Sequence, residues 1–168
     1  GQPDILVNNA GIVDAEHATR MSIELVDDVL DTNLRSVFIL SNEFARPLIS
    51  AKMPGRIVNI ASIAATSYGG NGAALYSITK AGVVRVTETL AVEWSKFHIN
   101  VNGIAPGLFA TDMADGMVER AGKFYEQFPR RRIAQPEQMD STLLYLVSPS
   151  SDAVTGTVIK IDDGQGSR

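Results

Sequence analysis

Residues 56–62, which read Arg-Ile-Val-Asn-Ile-Ala-Ser, carry the clearest sign of the fold class. An apolar run that is rich in β-branched residues and ends in a small polar residue is typical of a strand buried in a parallel sheet. The run at 56–61 therefore predicts a strand, with Ser62 directly after it. Three similar runs lie elsewhere in the chain, at residues 5–8, 99–104 and 157–161.

Segments with helical periodicity separate these four predicted strands. Apolar residues recur at steps of three and four from Leu30 to Leu48 and again from Val83 to Trp94. A third segment opens with Pro136, whose missing amide hydrogen suits a first helical turn. Alternating strands and helices predict an α/β fold in which helices cover both faces of a parallel sheet. We expect a single domain over residues 1–168, with ligands beyond the carboxyl ends of the strands.

Composition excludes several functional classes. The 168 residues are 45% hydrophobic and 20% charged, which is enough for a sizeable core. The formal net charge of -4 argues against a nucleic acid or an anionic membrane surface as partner. Cysteine is absent, which excludes thiolate chemistry and fits a reducing compartment, so we expect a cytoplasmic protein. No spacing of residues predicts a metal site, and no apolar run approaches the roughly 18 residues of a membrane helix.

The segment Tyr76-Ser77-Ile78-Thr79-Lys80 carries the first sign of chemistry. It places a phenol and an ammonium group four residues apart at the start of a helix, so both side chains emerge from one face. A tyrosine with an ordinary pKa of about 10 is a poor base at neutral pH. Because a nearby cation favours the phenolate, we expect Lys80 to lower the pKa of Tyr76, and the pair could then move a proton.

Other polar residues follow the predicted strands. Ser62 lies at the carboxyl end of its strand, where it either meets a ligand or caps a turn. Asn33 lies inside a largely apolar helix, so its side chain either faces water or has a specific role. Two further segments complete the set: Asn8-Asn9-Ala10-Gly11 after the first strand and Pro106-Gly107-Leu108-Phe109-Ala110-Thr111 after the third.

With these motifs the chain resembles the later two thirds of a short-chain dehydrogenase/reductase. The matching features are Asn-Asn-Ala-Gly at 8–11, Asn33, Ser62, Tyr-x-x-x-Lys at 76–80 and Pro-Gly-x-x-x-Thr at 106–111. The resemblance implies a Rossmann-like sheet, here restricted to the last four strands. It also implies an NAD(P)-dependent oxidoreductase that transfers a hydride between a nicotinamide cofactor and a secondary alcohol or ketone.

The resemblance implies a catalytic set of Asn33, Ser62, Tyr76 and Lys80. Tyr76 would be the general acid in reduction and the base in oxidation, while Ser62 would hydrogen-bond the substrate oxygen. Lys80 would lower the pKa of Tyr76 and hold the nicotinamide ribose, and Asn33 would hold water in a proton relay behind Lys80. Donors aimed at an oxygen that gains negative charge stabilise the transition state more than the ground state.

The cofactor and the substrate pocket follow from the same resemblance. It implies the cofactor-binding residues Asn9, Ala10, Gly11, Tyr76, Lys80, Pro106, Gly107, Phe109 and Thr111. The resemblance leaves the choice between NAD and NADP open, because the residue that meets the adenosine ribose lies outside the matched segment. We expect residues 114–132 to form an insertion of one or two helices that could act as a lid. An apolar pocket lining, with core filling as the alternative, is predicted for Met113, Met117, Phe124, Tyr125 and Phe128.

The family opens with a strand, a glycine-rich turn and a helix that have no counterpart before Asn8. We therefore expect a fragment of a longer enzyme, with the strand at 5–8 as an exposed apolar edge. The competing hypothesis is a non-catalytic scaffold derived from the same fold, and a 3-oxoacyl-carrier-type reductase is a further alternative. Partners would be a small alcohol or carbonyl compound and further copies of the chain, as a homotetramer or dimer built on the helices of Asn33 and Tyr76.

Overall fold

The computed structural model describes residues 1–13, 15–70 and 72–166. Four strands form one parallel sheet in the order β1-β2-β3-β4. The strands are β1 (Ile5–Asn8), β2 (Gly55–Ile60), β3 (Ile99–Pro106) and β4 (Val158–Ile161). Each lies within two residues of its prediction, since short β-branched runs followed by turn residues mark buried strands.

Five α-helices connect or flank the strands in the described parts of the chain. They are α1 (Ile23–Leu30), α2 (Ser36–Ala51), α3 (Ala74–Trp94), α4 (Asp112–Ala121) and α5 (Asp140–Val147). Residues Asp31–Arg35 join α1 to α2 as a π-helical turn, so the chain stays helical from Ile23 to Ala51. Pro136 opens a short 3-10 turn before α5, which matches the predicted proline-led start. Within the described ranges, no helix is long and apolar enough to cross a membrane.

Helices pack on both faces of the sheet, as predicted. On one face, Phe44 and Leu48 of α2 and Trp94 of α3 form a cluster with Ile57. On the other face, Leu146 of α5 packs against Val58. Adjacent residues of one strand point to opposite faces, which is why Ile57 and Val58 enter different clusters. The sheet therefore fixes the positions of α3 and α5 relative to each other.

The edge strand bears on a further prediction. Strand β1 pairs with β2, and its Ile5 and Val7 side chains are 44% and 38% exposed, so an apolar edge is present as expected. The aromatic side chains of Trp94 and Phe44, by contrast, are buried in the core of the chain itself.

A chain of buried polar side chains links the sheet to α2 and α3. Asn8 Nδ2 donates hydrogen bonds to Ser41 Oγ at 3.1 Å and to Asn59 Oδ1 at 2.8 Å. Asn59 Nδ2 then donates to Thr87 Oγ1 at 3.0 Å, and the Thr87 hydroxyl donates to the Val83 carbonyl at 2.8 Å. All of these side chains are buried, so the bonds fix the register of α3 on the sheet.

Replacing Thr87 by valine tests this link. The Thr87→Val substitution keeps the shape but leaves the buried Asn59 amide without its acceptor, which costs roughly 1–3 kcal/mol of unfolding free energy. The matched control is Thr89→Val, because Thr89 is exposed on the same helix and its hydroxyl bonds only to backbone carbonyls. Urea unfolding should show a clear loss for the first variant alone; equal losses would contradict the proposed link.

Candidate active site

A cavity of about 790 Å³ lies beyond the carboxyl ends of β1, β2 and β3. Its walls hold every residue that the sequence predicted to bind a cofactor, together with Ser62. They come from the three connections that follow β1, β2 and β3 and from the first two turns of α3, as expected for a parallel sheet. Asn33 is the one predicted catalytic residue that does not line the cavity.

Ser62 and Tyr76 meet at the floor of this cavity. Ser62 follows β2, and its Oγ accepts a hydrogen bond from the Ala64 amide at 3.1 Å, so the predicted turn cap is also present. The Ser77 hydroxyl of α3 donates to the Ala64 carbonyl at 2.6 Å and holds this turn against the helix. In this arrangement the side chains of Ser62 and Tyr76 are hydrogen-bonded to each other.

Lys80 lies one helical turn beyond Tyr76 and is buried. Its Nζ donates a hydrogen bond to the Ile60 carbonyl at 2.8 Å, at the end of β2. The same Nζ lies 5.6 Å from the centre of the Tyr76 ring. Burial lowers the pKa of Lys80 from 10.5 to about 8, because the charged form loses hydration. At pH 7 the ammonium form still predominates.

The electrostatics of Tyr76 differ from the sequence-based expectation. Burial raises the pKa of the Tyr76 phenol above its ordinary value, and the hydrogen bond with Ser62 offsets only part of this effect. The net lowering expected from the sequence is therefore wrong for this structure, because loss of hydration outweighs the favourable contacts of the phenol. Tyr76 is accordingly a neutral phenol at pH 7, with a proton to donate.

Asn33 lies behind the cavity, in the π-helical turn that joins α1 to α2. Its Oδ1 accepts from the Ile12 amide at 2.8 Å, and its Nδ2 donates to the Ile12 carbonyl at 2.8 Å and to Thr79 Oγ1 at 3.2 Å. These bonds give the buried asparagine its role in the structure: it fixes the segment after β1 against α3. A water relay through Asn33 stays a prediction. π-helical turns are frequent at functional sites.

Gly11 lies between Asn33 and Lys80. A Cβ atom at this position would come within 3.3 Å of Lys80 Nζ and 3.5 Å of Asn33 Oδ1. The contact with Lys80 would be tighter than ordinary packing, so the missing side chain lets the first connection approach the lysine. This explains in physical terms why the segment after β1 ends in glycine.

The connection after β3 is held by the carboxyl-terminal turn. The Leu108 amide donates to Gln165 Oε1 at 2.7 Å, and a Cβ atom on Gly107 would lie only 2.5 Å from that oxygen. Gln165 also lines the cavity. Phe109, which was predicted to face the nicotinamide, is 5% exposed and lines the wall. The segment 106–109 is therefore held in place by the turn that contains Gln165.

Asp163 adds an ion-pair cluster to this turn. Its backbone is in the left-handed region, with φ of 49°. Its carboxylate accepts a hydrogen bond from Arg132 Nε at 2.6 Å and lies 3.6 Å from Arg130 Nη1. The hydrogen bond with Arg132 lowers the pKa of Asp163, and this ties residues 130–132 to the turn.

The insertion after β3 differs in detail from its prediction. It contains α4 and a short 3-10 turn, Phe124–Gln127, in agreement with one or two helices. Four of the five predicted lining residues reach the cavity; Tyr125 does not, because its ring packs against the edge of Phe124, at a centroid distance of 6.5 Å. A periodicity argument could not separate Tyr125 from its neighbours, since a 3-10 turn does not follow the α-helical period.

Sequence reasoning missed three groups of the site. The Ile60 carbonyl accepts a hydrogen bond from Lys80, and the Thr79 hydroxyl accepts one from Asn33. A backbone carbonyl carries no sequence signal. Thr79 lies inside the Tyr-x-x-x-Lys motif, three residues from Tyr76, and that spacing was the available clue. Gln165 lies near the end of the chain, far from the other site residues in sequence. No three His, Asp or Glu side chains in the described ranges are placed to hold a metal ion.

Comparison with known proteins shows extensive similarity. The family described as "Enoyl-(Acyl carrier protein) reductase" matches residues 1–165. The chain is 38% identical over 167 residues to 2-dehydro-3-deoxy-D-gluconate 5-dehydrogenase of Dickeya dadantii, covering 98% of this chain and 66% of that protein. It is 39% identical over 163 residues to 3-oxoacyl-[acyl-carrier-protein] reductase of Aquifex aeolicus, covering 96% and 64%. The chain thus spans about two thirds of the length of these relatives.

Two solved structures share the fold closely. 4-Hydroxyisoleucine dehydrogenase complexed with NADH gives a TM-score of 0.86 at 32% identity, covering 98% of this chain and 69% of that one. The F189W variant of actinorhodin polyketide ketoreductase with NADPH gives 0.89 at 32% identity, covering 100% and 69%. The similarity therefore extends over nearly all of this chain.

The Asp163 cluster generates a pH-dependent prediction. A carboxyl group whose pKa is lowered on folding adds stability above its ordinary pKa of about 4, and that contribution disappears as the pH falls through the lowered value. We expect Asp163→Asn to lower the melting temperature by a few degrees at most at pH 7, because exposed pairs contribute little. The difference from the unmodified protein should vanish in acid.

The control for this experiment is Asp31→Asn. Asp31 pairs with Arg35 across one turn, and both side chains are more than half exposed. The change in melting temperature at pH 7 should therefore be smaller than for Asp163→Asn. Thermal melts from pH 3 to pH 7 measure both variants. A pH-independent deficit for Asp163→Asn would show that the carboxylate charge is not what holds the turn.

Proposed function

Because the chain belongs to the short-chain dehydrogenase/reductase family, we propose that it carries the catalytic half of an NAD(P)-dependent oxidoreductase. The reaction would interconvert a secondary alcohol and a ketone. The observation that carries this proposal is the meeting of Ser62, Tyr76 and Lys80 at the floor of one cavity. Three residues from two separate elements converge there, which a non-catalytic scaffold does not require.

The Ser62 and Tyr76 side chains would act on the substrate oxygen. The neutral Tyr76 phenol is suited to donate its proton to a carbonyl oxygen during reduction, and it would take the proton back from an alcohol during oxidation. The Ser62 hydroxyl would donate a second hydrogen bond to the same oxygen. Both donors are held in place before the reaction, so they favour the developing negative charge without reorganisation.

Lys80 would serve the proton transfer through its charge. Its ammonium group lies beside the Tyr76 ring and favours the phenolate that forms when Tyr76 gives up its proton. Because burial brings the pKa of Lys80 to about 8, the lysine would lose this charge as the pH rises through that value. Catalysis by the Tyr76 phenolate should then lose its electrostatic support.

The residues around the cavity fit the nicotinamide end of a dinucleotide. Gly11 lacks the Cβ atom that would crowd Lys80, and Asn9 and Ala10 are exposed beside it at the cavity wall. We propose that residues 9–11, Tyr76, Lys80 and residues 106–111 would hold this end of NAD or NADP. When bound, the nicotinamide supplies or accepts the hydride. The two structural relatives were solved with NADH and with NADPH, so the proposal leaves the choice of cofactor open.

We further propose a cytoplasmic homo-oligomer, a tetramer or a dimer, that binds a small alcohol or carbonyl substrate. Its support is an exposed apolar surface on α2 and α3, where Phe38, Ile78 and Val92 are 50%, 63% and 79% exposed. Large exposed apolar side chains on neighbouring helices are typical of subunit interfaces. Light scattering at micromolar concentration should give a mass above that of a monomer; a clean monomer would refute the oligomer.

Replacing Tyr76 by phenylalanine tests the catalytic role. In the protein supplied with NADH or NADPH and a ketone, Tyr76→Phe should lower kcat by about 10²–10⁴-fold, because the proton donor is lost. The control is Tyr145→Phe on α5, which is exposed and outside the cavity. Cofactor affinity should change little. Unchanged turnover of Tyr76→Phe would refute the catalytic role of Tyr76, whereas no turnover by the unmodified protein with either cofactor would favour the scaffold hypothesis.

A further inference from the structure

One wall of the cavity is made almost entirely of thioether and aromatic side chains. Met113 and Met117 are four residues apart on α4, so they share one face of that helix. Phe124 and Phe128 follow, with ring centroids 5.7 Å apart in an edge-to-face contact. All four of these side chains line the cavity, and so does Met139 from the turn before α5. Three of the five methionines of the protein therefore line this cavity.

Methionine side chains adapt to apolar groups of different shape, because they are unbranched and polarisable. A cavity of about 790 Å³ is within the size range of small-molecule sites. The nicotinamide end of the cofactor would take up part of this volume, beside residues 9–11 and 106–111. The remaining space is bordered by the apolar side chains of residues 113–128, so it suits a part of the substrate that is itself apolar.

The charges at the cavity disfavour an anionic ligand group. Among the described lining residues, the only ones that carry a charge are Lys80 and Asp112. Lys80 is buried against the Ile60 carbonyl, and the Asp112 carboxylate repels anions. Arg130 and Arg132 do not line the cavity and are paired with Asp163. Among the described lining residues at 113–139, none therefore carries a positive charge that could bind a carboxylate.

We infer that the substrate carries an uncharged apolar arm of several carbon atoms, which binds against Met113, Met117, Phe124 and Phe128. This inference rests on the proposed function, since the reacting oxygen is assigned to Ser62 and Tyr76. It assigns the residues of α4 and the following turn to substrate specificity. It also separates this chain from its sugar-acid relative, whose substrate carries a carboxylate.

Methyl NMR of the protein labelled with ¹³C-methyl-methionine tests the inference without turnover. Titration with 2-octanone should shift the resonances of Met113, Met117 and Met139, whereas Met21 and Met53 lie outside the cavity and should not move. Titration with D-gluconate should shift none of the five. Shifts of the cavity methionines by gluconate but not by 2-octanone would overturn the inference, as would equal shifts of all five resonances or no shift with the ketone.

Substitutions at Met117 test the same inference by their effect on 2-octanone binding. Met117→Lys places a cation at the apolar wall and should weaken 2-octanone binding by about tenfold or more, while Met117→Leu should retain it. The matched control is Met53→Lys, which adds the same charge at a partly exposed site outside the cavity. Unchanged binding by Met117→Lys would overturn the inference.

Turnover distinguishes this inference from the proposed function. With NADH or NADPH, kcat/KM for methyl ketones from 2-butanone to 2-octanone should rise about fourfold for each buried methylene group. A flat series with measurable turnover would refute the apolar arm and leave the oxidoreductase proposal intact. Ketone-induced shifts at the three cavity methionines without any turnover would support the apolar arm and refute the oxidoreductase proposal.

Discussion

The hydrogen bond from Lys80 Nζ to the Ile60 carbonyl is the contact on which the rest of the site depends. It joins the end of β2 to the second turn of α3. Ser62, which follows β2, and Tyr76, on the first turn of α3, are thereby brought into hydrogen-bonding contact. A buried ammonium group is costly without polar partners, which makes this carbonyl essential to the local structure. The glycine at position 11 and the asparagine in the π-helical turn complete the surroundings of the lysine.

The sheet supplies the rigidity that this contact needs. Buried clusters on both faces fix α3 and α5, and the polar chain from Asn8 to Thr87 fixes α3 along its axis. Apolar packing alone tolerates small shifts, whereas buried hydrogen bonds require one register. The polar side chains of the cavity accordingly lie at the rigid sheet, and its apolar wall lies on α4. This arrangement keeps the reacting groups fixed, while the apolar wall can differ with the substrate.

Much of this arrangement could be predicted from the sequence, and the reasons are local. Closely spaced β-branched residues predict strand β2. Asn33 could be singled out because an asparagine is unfavourable inside an apolar helix. Three-dimensional burial could not be predicted in the same way. The direction of the Tyr76 pKa, the position of Tyr125 and the role of Gln165 depend on which groups surround them, and residues distant in sequence supply those groups.

The pKa of Lys80 tests the central claim most directly. The side-chain nitrogen signals of ¹⁵N-labelled protein can be followed from pH 6 to pH 11, with Lys80→Arg identifying the signal of Lys80. The account predicts a midpoint of about 8 for Lys80, clearly below the ordinary lysine value of 10.5. A midpoint for Lys80 near that ordinary value would contradict a buried lysine at the centre of the site.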